Sequence, residues 1–139
     1  MQPDISVPQT SPAALWTGRA LSALAVLFLV ADAIMKLIPI PAVGEAMQQL
    51  GYPNSVALAR GLGVVTLVCV ALYASPGTSV LGAILLSGLF GGAMASHLRV
   101  GNPLFSHFLF GAYLGVIVWG GLWLRDARLR TLLPWRRAP

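Results

Sequence analysis

The sequence predicts an all-α, polytopic membrane protein that folds as a four-transmembrane-helix bundle. Two features of the composition support this class: 57% of the 139 residues are hydrophobic and only 9% are charged. A soluble domain is about a quarter charged. The third observation is that the apolar residues form four runs, each near the roughly 20 residues that cross a bilayer. The length therefore leaves no room for a separate soluble domain.

The first run follows Ser11 and Pro12, a capping residue and a favourable first helical residue, and it ends before two prolines. Arg19 followed by apolar residues also fits a secretory signal peptide, but the bulky continuation "IMKLI" argues against cleavage. The next stretch, "VGEAMQQLGYPN", predicts a small interfacial helix or loop, with Gly51 as a helix stop and Asn54 as the next cap.

Capping residues, prolines and glycines also mark the ends of the other runs. Asn102 is predicted to cap the fourth helix and Pro103 to begin it. The predicted spans are residues 12–38, 55–74, 79–98 and 103–124. They form one membrane domain, 12–125, between a flexible N-terminal segment, 1–11, and a basic cytoplasmic tail, 126–139.

Small residues recur at helical spacing on the third and fourth spans. Gly88, Gly92 and Ser96 form one such ladder, and Gly111 and Gly115 form another. In membranes, small-x-x-x-small patterns let helix backbones approach closely. The ladders therefore predict tight packing between these two helices.

The arginines predict the orientation, because most of them follow the fourth span: Arg125, Arg128, Arg130, Arg136 and Arg137. Cytoplasmic segments carry such an excess of basic residues, so the tail should be cytoplasmic, and an even number of spans places the N-terminus there too. The tryptophans fall near the same inner ends, as in an aromatic belt. We expect a multi-pass protein of the plasma membrane with both termini in the cytoplasm. A nucleic-acid partner is not predicted, because the basic residues are not interleaved with aromatics on a soluble face.

This orientation gathers six ionisable side chains at the outer end of the bundle: Asp32, Lys36, Arg60, His97, Arg99 and His107. A charge near a span centre costs about 2.5 to 3.5 kcal/mol, so Asp32 should be buried and paired with a cation. Lys36, one turn later, is the first candidate partner, and Arg60 or Arg99 is the second. The sequence does not decide between them.

We interpret these six residues as one outer-facing binding pocket. Their cations outnumber Asp32, which favours a quinone carbonyl, a small anion or a lipid headgroup, and a histidine exchanges protons near neutral pH. The alternative hypothesis is a membrane anchor or accessory subunit without a ligand, in which the polar cluster only ties helix ends together. Whether the chain is an enzyme is left open.

Other chemistries have little support in the sequence. His97 and His107 lack the further ligands that a metal needs, so no metal site or cofactor is predicted. No residue is assigned a catalytic role, because nucleotide-binding and hydrolase motifs are absent. Cys69 is the single cysteine, which excludes an intramolecular disulfide.

Several motifs resemble the DoxX-like family of small bacterial membrane proteins. They are "DAIMKL" at the end of the first span, "LGYP" before the second, "TSVLGAILL" opening the third, "SHLRVGNPLFSH" across the outer loop, and "WGGLWLRDARLR" at the close. The resemblance covers about residues 15–134, and the histidine-containing segment is its most specific part.

The resemblance implies a four-helix membrane bundle and a place among proteins found as membrane subunits of redox assemblies, including a thiosulfate:quinone oxidoreductase. It therefore implies a membrane or redox protein as a partner. Many relatives carry an acid in a G-x-x-E pattern on the second span. This sequence departs from that pattern, because "GVVT" places Thr66 at the position of the acid.

Overall fold

The computed structural model describes residues 9–132, and these are helical except for short connections. The helices are α1 (Pro12–Leu37), α2 (Pro41–Gln49), α3 (Val56–Ala74), α4 (Ser79–Arg99), α5 (Phe110–Arg125) and α6 (Ala127–Leu132). A π-helical turn, Leu104–Phe108, leads directly into α5. The four segments α1, α3, α4 and Leu104–Arg125 are long and apolar enough to cross a membrane. The predicted fold class is therefore confirmed.

The spanning helices pack in a closed ring, in which α1 contacts α5 and α3, and α4 contacts α3 and α5. Short connections make successive spans antiparallel. Tyr73, Leu86, Val118 and Leu122 are fully buried at the centre of the ring. Many large apolar side chains are exposed on the outside, as a lipid-facing surface requires.

The antiparallel order gives the bundle two distinct ends. The histidine end contains the C-terminus of α1, the start of α3, the end of α4 and the π-helical turn. The terminus end contains the start of α1 and the end of α5. Residues 1–8 of the predicted flexible segment lie outside the described part, and so do residues 133–139 of the predicted basic tail. The helix α6 forms the first part of that tail.

Glycines permit the closest helix contacts, both between α3 and α4 at Gly82, whose Cβ would lie 2.2 Å from Tyr73 N, and between the first and last spans. A Cβ on Gly18 would lie 2.8 Å from the carbonyl oxygen of Gly121, and a Cβ on Gly121 would lie 2.6 Å from Ser22 Oγ. Gly63 approaches the Ala33 carbonyl in the same way, at 2.9 Å, and brings α3 against α1. Backbone contact at this range leaves no space for any side chain.

The two small-residue ladders are predicted to pack the third and fourth spans tightly together, and this prediction is wrong for most of the ladder residues. Gly111 does contact α4, because its Cβ would lie 3.0 Å from the Phe90 carbonyl oxygen. Gly88, Gly92 and Gly115, however, have no atom within 4 Å of a built Cβ. The closest helix contacts are made by other glycines. Gly88 and Gly92 of the α4 ladder face open space, whereas Ser96 is buried.

The helix starts are partly as predicted. Ser11 caps α1 by accepting a hydrogen bond from the Ala14 amide at 3.3 Å. The cap of α3 is Ser55, which accepts from Leu58 N, and not the predicted Asn54. The prediction that Asn102 caps the fourth span is also wrong. That span begins with a π-helical turn whose N-cap is Pro103, which makes no side-chain hydrogen bond.

Candidate functional site

A cavity of about 290 Å³ opens at the histidine end between α1, α4 and the fourth span. We call it the histidine cavity. Its polar lining residues are Asp32, His97 and His107, and these come from three different segments of the chain. The rest of the lining is apolar, mainly leucines and phenylalanines. A mostly apolar cavity with a few convergent polar groups is the usual form of a small-molecule site.

Asn102 orients His97 in this cavity. The amide nitrogen of Asn102 lies 2.8 Å from Nδ1 of His97. An amide nitrogen only donates, so Nδ1 accepts, and a neutral His97 carries its proton on Nε2. The loop reverses through Gly101, whose φ of 71° suits glycine, and this turn returns Asn102 to the end of α4. Asn102 therefore serves the histidine and not the helix start.

The π-helical turn presents His107 to the same cavity. The amide of Phe108 donates to the Pro103 carbonyl at 3.2 Å, and the amide of Leu109 donates to Leu104 at 2.9 Å, so the first turn is wider than an α-helix. Nδ1 of His107 lies 2.7 Å from Oγ of Ser106, a hydrogen bond in which either group can donate. Both histidines thus have Nδ1 engaged, and within the described residues neither Nε2 has a hydrogen-bond partner.

The two imidazoles lie side by side, with ring centroids 5.6 Å apart and planes tilted by 60°. An aromatic pair forms another part of the lining: Phe28 and Phe110 meet edge to face, with centroids 5.5 Å apart. Such edge-to-face pairs are a favourable aromatic geometry. The cavity therefore has a polar side of two imidazoles and an apolar side of two phenyl rings.

Asp32 pairs with Lys36, whose ammonium group donates to Oδ2 of the carboxylate. The first candidate partner is thus the one that the structure shows. The expectation that Asp32 is buried is wrong, since both side chains are half-buried. Asp32 lines the histidine cavity, but Lys36 lines a separate cavity of about 110 Å³ between the start of α2 and the start of α3.

The two arginines of the predicted pocket lie elsewhere at the same end. Nε of Arg60 donates to the Leu37 carbonyl at 3.1 Å, which ties α3 to the end of α1. Arg99 donates to the Leu50 carbonyl and lies over the Tyr52 ring, with its guanidinium carbon 5.9 Å from the centroid. Neither arginine lines the histidine cavity.

The structure therefore divides the six predicted residues into two groups. Asp32, His97 and His107 share one cavity, whereas Lys36, Arg60 and Arg99 lie outside its lining and bind a carboxylate or backbone carbonyls. The excess of positive charge that the sequence suggested is absent from the cavity itself. Within the described part of the chain, no three histidine, cysteine or acidic residues come together as a metal site.

Sequence reasoning missed the role of Asn102 and the aromatic side of the cavity. The "HLRVGN" segment held the clue to the first, because Asn102 follows His97 by five residues across a glycine turn. Phe28 gave no clue of its own, since it lies in a uniformly apolar stretch of α1.

Fold and cavity together define a four-span membrane protein with a small-molecule-sized cavity at one end of its bundle. Comparison with protein families matches residues 20–121 to the DoxX-like family. The chain belongs to this family. Comparison with curated proteins gave no match. Comparison with solved structures also gave none.

Proposed function

We propose that this chain binds a neutral, carbonyl-bearing ring compound of the quinone type in the histidine cavity. The observation that carries the proposal is the meeting of Asp32, His97 and His107 in one largely apolar cavity beside the Phe28 and Phe110 pair. Intramembrane ionisable groups are costly, and those that face an internal cavity usually serve function.

The arrangement of donors suits a carbonyl. Nε2 of His97 carries the proton when Asn102 donates to Nδ1, so it can donate to a quinone oxygen. The second imidazole is 5.6 Å away by ring centroids and offers another Nε2. Asp32 has Oδ1 in addition to the oxygen that binds Lys36, and it can accept from a quinol hydroxyl. The site thus has groups that match both the oxidised and the reduced ring.

The charges at the cavity favour a neutral ligand over an anion. The residues that line it include no lysine or arginine, and its one acidic side chain, Asp32, is already paired with Lys36. Arg60 and Arg99, which could have attracted an anion, bind backbone carbonyls elsewhere. A small anion or a phosphate headgroup is therefore the less favoured ligand.

We further propose that the protein serves as a membrane subunit that gives a redox partner access to the quinone pool of the bacterial inner membrane. The resemblance to the DoxX-like family supports this role, because relatives in that family are found as membrane subunits of redox assemblies. The arginine-rich tail supports cytoplasmic termini and an outward-facing histidine end.

The binding test is a titration of the purified protein with a dimethoxy-methyl-benzoquinone, followed by thermal unfolding in detergent. We expect saturable stabilisation, which His97→Phe should weaken by about tenfold in affinity because an aromatic ring replaces the donor at similar size. Arg60→Gln, at the same end but outside the cavity, is the matched control and should bind normally. Equal stabilisation of all three proteins would contradict the proposed site, and stabilisation by sulfate instead would favour an anion as the ligand. No stabilisation of any of the proteins by either compound would favour the anchor role.

A further inference from the structure

A second cavity, of about 350 Å³, lies between the α2 segment, α3 and α4. We call it the glycine cavity, because Gly88 and Gly92 form part of its lining. Both glycines have open space where a Cβ would stand, so any larger residue at these positions would fill part of this volume. Met47 and Leu50 line it from α2 and the residue after it.

The glycine cavity presents an apolar surface even though three hydroxyl groups line it. Thr66 donates to the Leu62 carbonyl at 2.9 Å. Ser96 donates to the Gly92 carbonyl at 2.9 Å, and Ser96 Oγ lies 2.7 Å from the Tyr52 hydroxyl, which therefore donates to it. Each hydroxyl proton is thus bound within the protein. An occupant would meet methylene and methyl groups and no free donor.

Two residues of α4 connect the glycine cavity with the histidine cavity. Leu89 and Ala93, one helical turn apart, line both volumes. The two cavities therefore flank the same turn of α4 and are separated there by small or flexible side chains. Each volume alone lies near the lower limit of about 300 Å³ for ligand pockets, and the two together lie well inside that range.

We infer that the two cavities form one binding cleft for a ligand with a polar head and an apolar tail. The inference rests on the proposed function and extends it, because it names the ligand as a quinone with a hydrocarbon or isoprenoid tail. The head occupies the histidine cavity, where the polar groups are. The tail passes Leu89 and Ala93 and lies in the glycine cavity, which offers only apolar contacts.

The test compares two probes that share one head: the tailless benzoquinone and the same ring with a decyl tail. Both are titrated into the full-length protein in one detergent, so that partitioning of the tail into micelles is constant between variants. Gly88→Leu should fill the glycine cavity and weaken binding of the decyl form by about tenfold while the tailless form binds as before. Gly91→Leu is the matched control, because Gly91 is an exposed glycine of the same helix outside both cavities.

Gly92→Ala, which adds a single methyl group to open space, provides a milder variant if the leucine disturbs folding. This variant should also weaken binding of the decyl form. Unchanged binding of the decyl form to both cavity variants would overturn the inference and leave the proposed function standing. Failure of the unsubstituted protein to bind either probe would overturn the proposed function and this inference together.

Discussion

His97 and His107 lie with their ring centroids 5.6 Å apart although they come from different helical segments. The glycine turn after α4 and the wide π-helical turn before α5 bring them together. Each ring has its Nδ1 engaged by a neighbouring polar side chain, so the pair offers two Nε2 atoms at one cavity.

The first prediction concerns the tautomer of His97. Asn102→Asp keeps the shape of the side chain but replaces its donor with an acceptor, so Nδ1 of His97 must now donate. We expect the proton of a neutral His97 to move from Nε2 to Nδ1 and quinone affinity to fall by about tenfold. Nitrogen NMR of histidine-labelled protein reports the tautomer directly. An unchanged Nε2–H tautomer in the variant would show that Asn102 does not orient the ring.

The second prediction concerns the buried hydroxyl of Tyr73. It donates to the Val118 carbonyl at 2.8 Å, and Ser22 Oγ lies 2.9 Å from it. Tyr73→Phe should lower the free energy of unfolding by about 1 kcal/mol, because two buried polar atoms lose their partner. Tyr113→Phe is the control, since Tyr113 is 46% exposed. Equal unfolding curves for the two variants in a denaturing detergent would rule out this contribution.

The third prediction compares two adjacent glycines of α5. Gly121→Ala places a methyl group 2.6 Å from Ser22 Oγ and 3.0 Å from Ser22 N, so α1 and α5 must separate. We expect a loss of about 1 to 3 kcal/mol in unfolding free energy. Gly120→Ala enters open space and should be neutral or slightly stabilising, because alanine favours helix. The same loss for both variants would mean that the contact with Ser22, which only a side chain at position 121 meets, does not decide the outcome.

The fourth prediction is the orientation. A phosphatase that is active only outside the cytoplasm, fused after the last residue, should give no activity in a bacterial host. The same enzyme inserted after Gly101, in the turn at the histidine end, should be active. The reverse pattern would place the histidine end in the cytoplasm and contradict the positive-inside argument.

Much of the fold follows from the sequence, because the length of an apolar run and the residues that cap or break a helix are local properties. The four spans end within a few residues of their predicted limits, and Lys36 is the partner of Asp32 because one helical turn places them together. Even the short α2 was expected as a helix or loop between two proline-bounded segments.

The composition of the cavity did not follow, because it depends on which way each helix is turned. Spacing alone cannot tell whether Gly88 and Gly92 admit a neighbouring helix or leave a void, and the structure shows the void. Likewise, Arg60 and Arg99 share an end with Asp32 but turn to backbone carbonyls at helix ends. Unsatisfied carbonyls at a helix C-terminus are good hydrogen-bond acceptors. No sequence pattern predicts whether an arginine binds such a carbonyl or a nearby carboxylate.

The contact of Gly18 with Gly121 joins the first spanning helix to the last one. The ring can therefore close only after the fourth span has been synthesised and has entered the bilayer. Until then α1 has only α3 beside it, and the segment that carries His107 has not reached the bilayer. An insertion intermediate with three spans consequently holds Asp32 without the segment that lines the other part of the histidine cavity. Completion of the histidine cavity is therefore a late event in the biogenesis of the bundle.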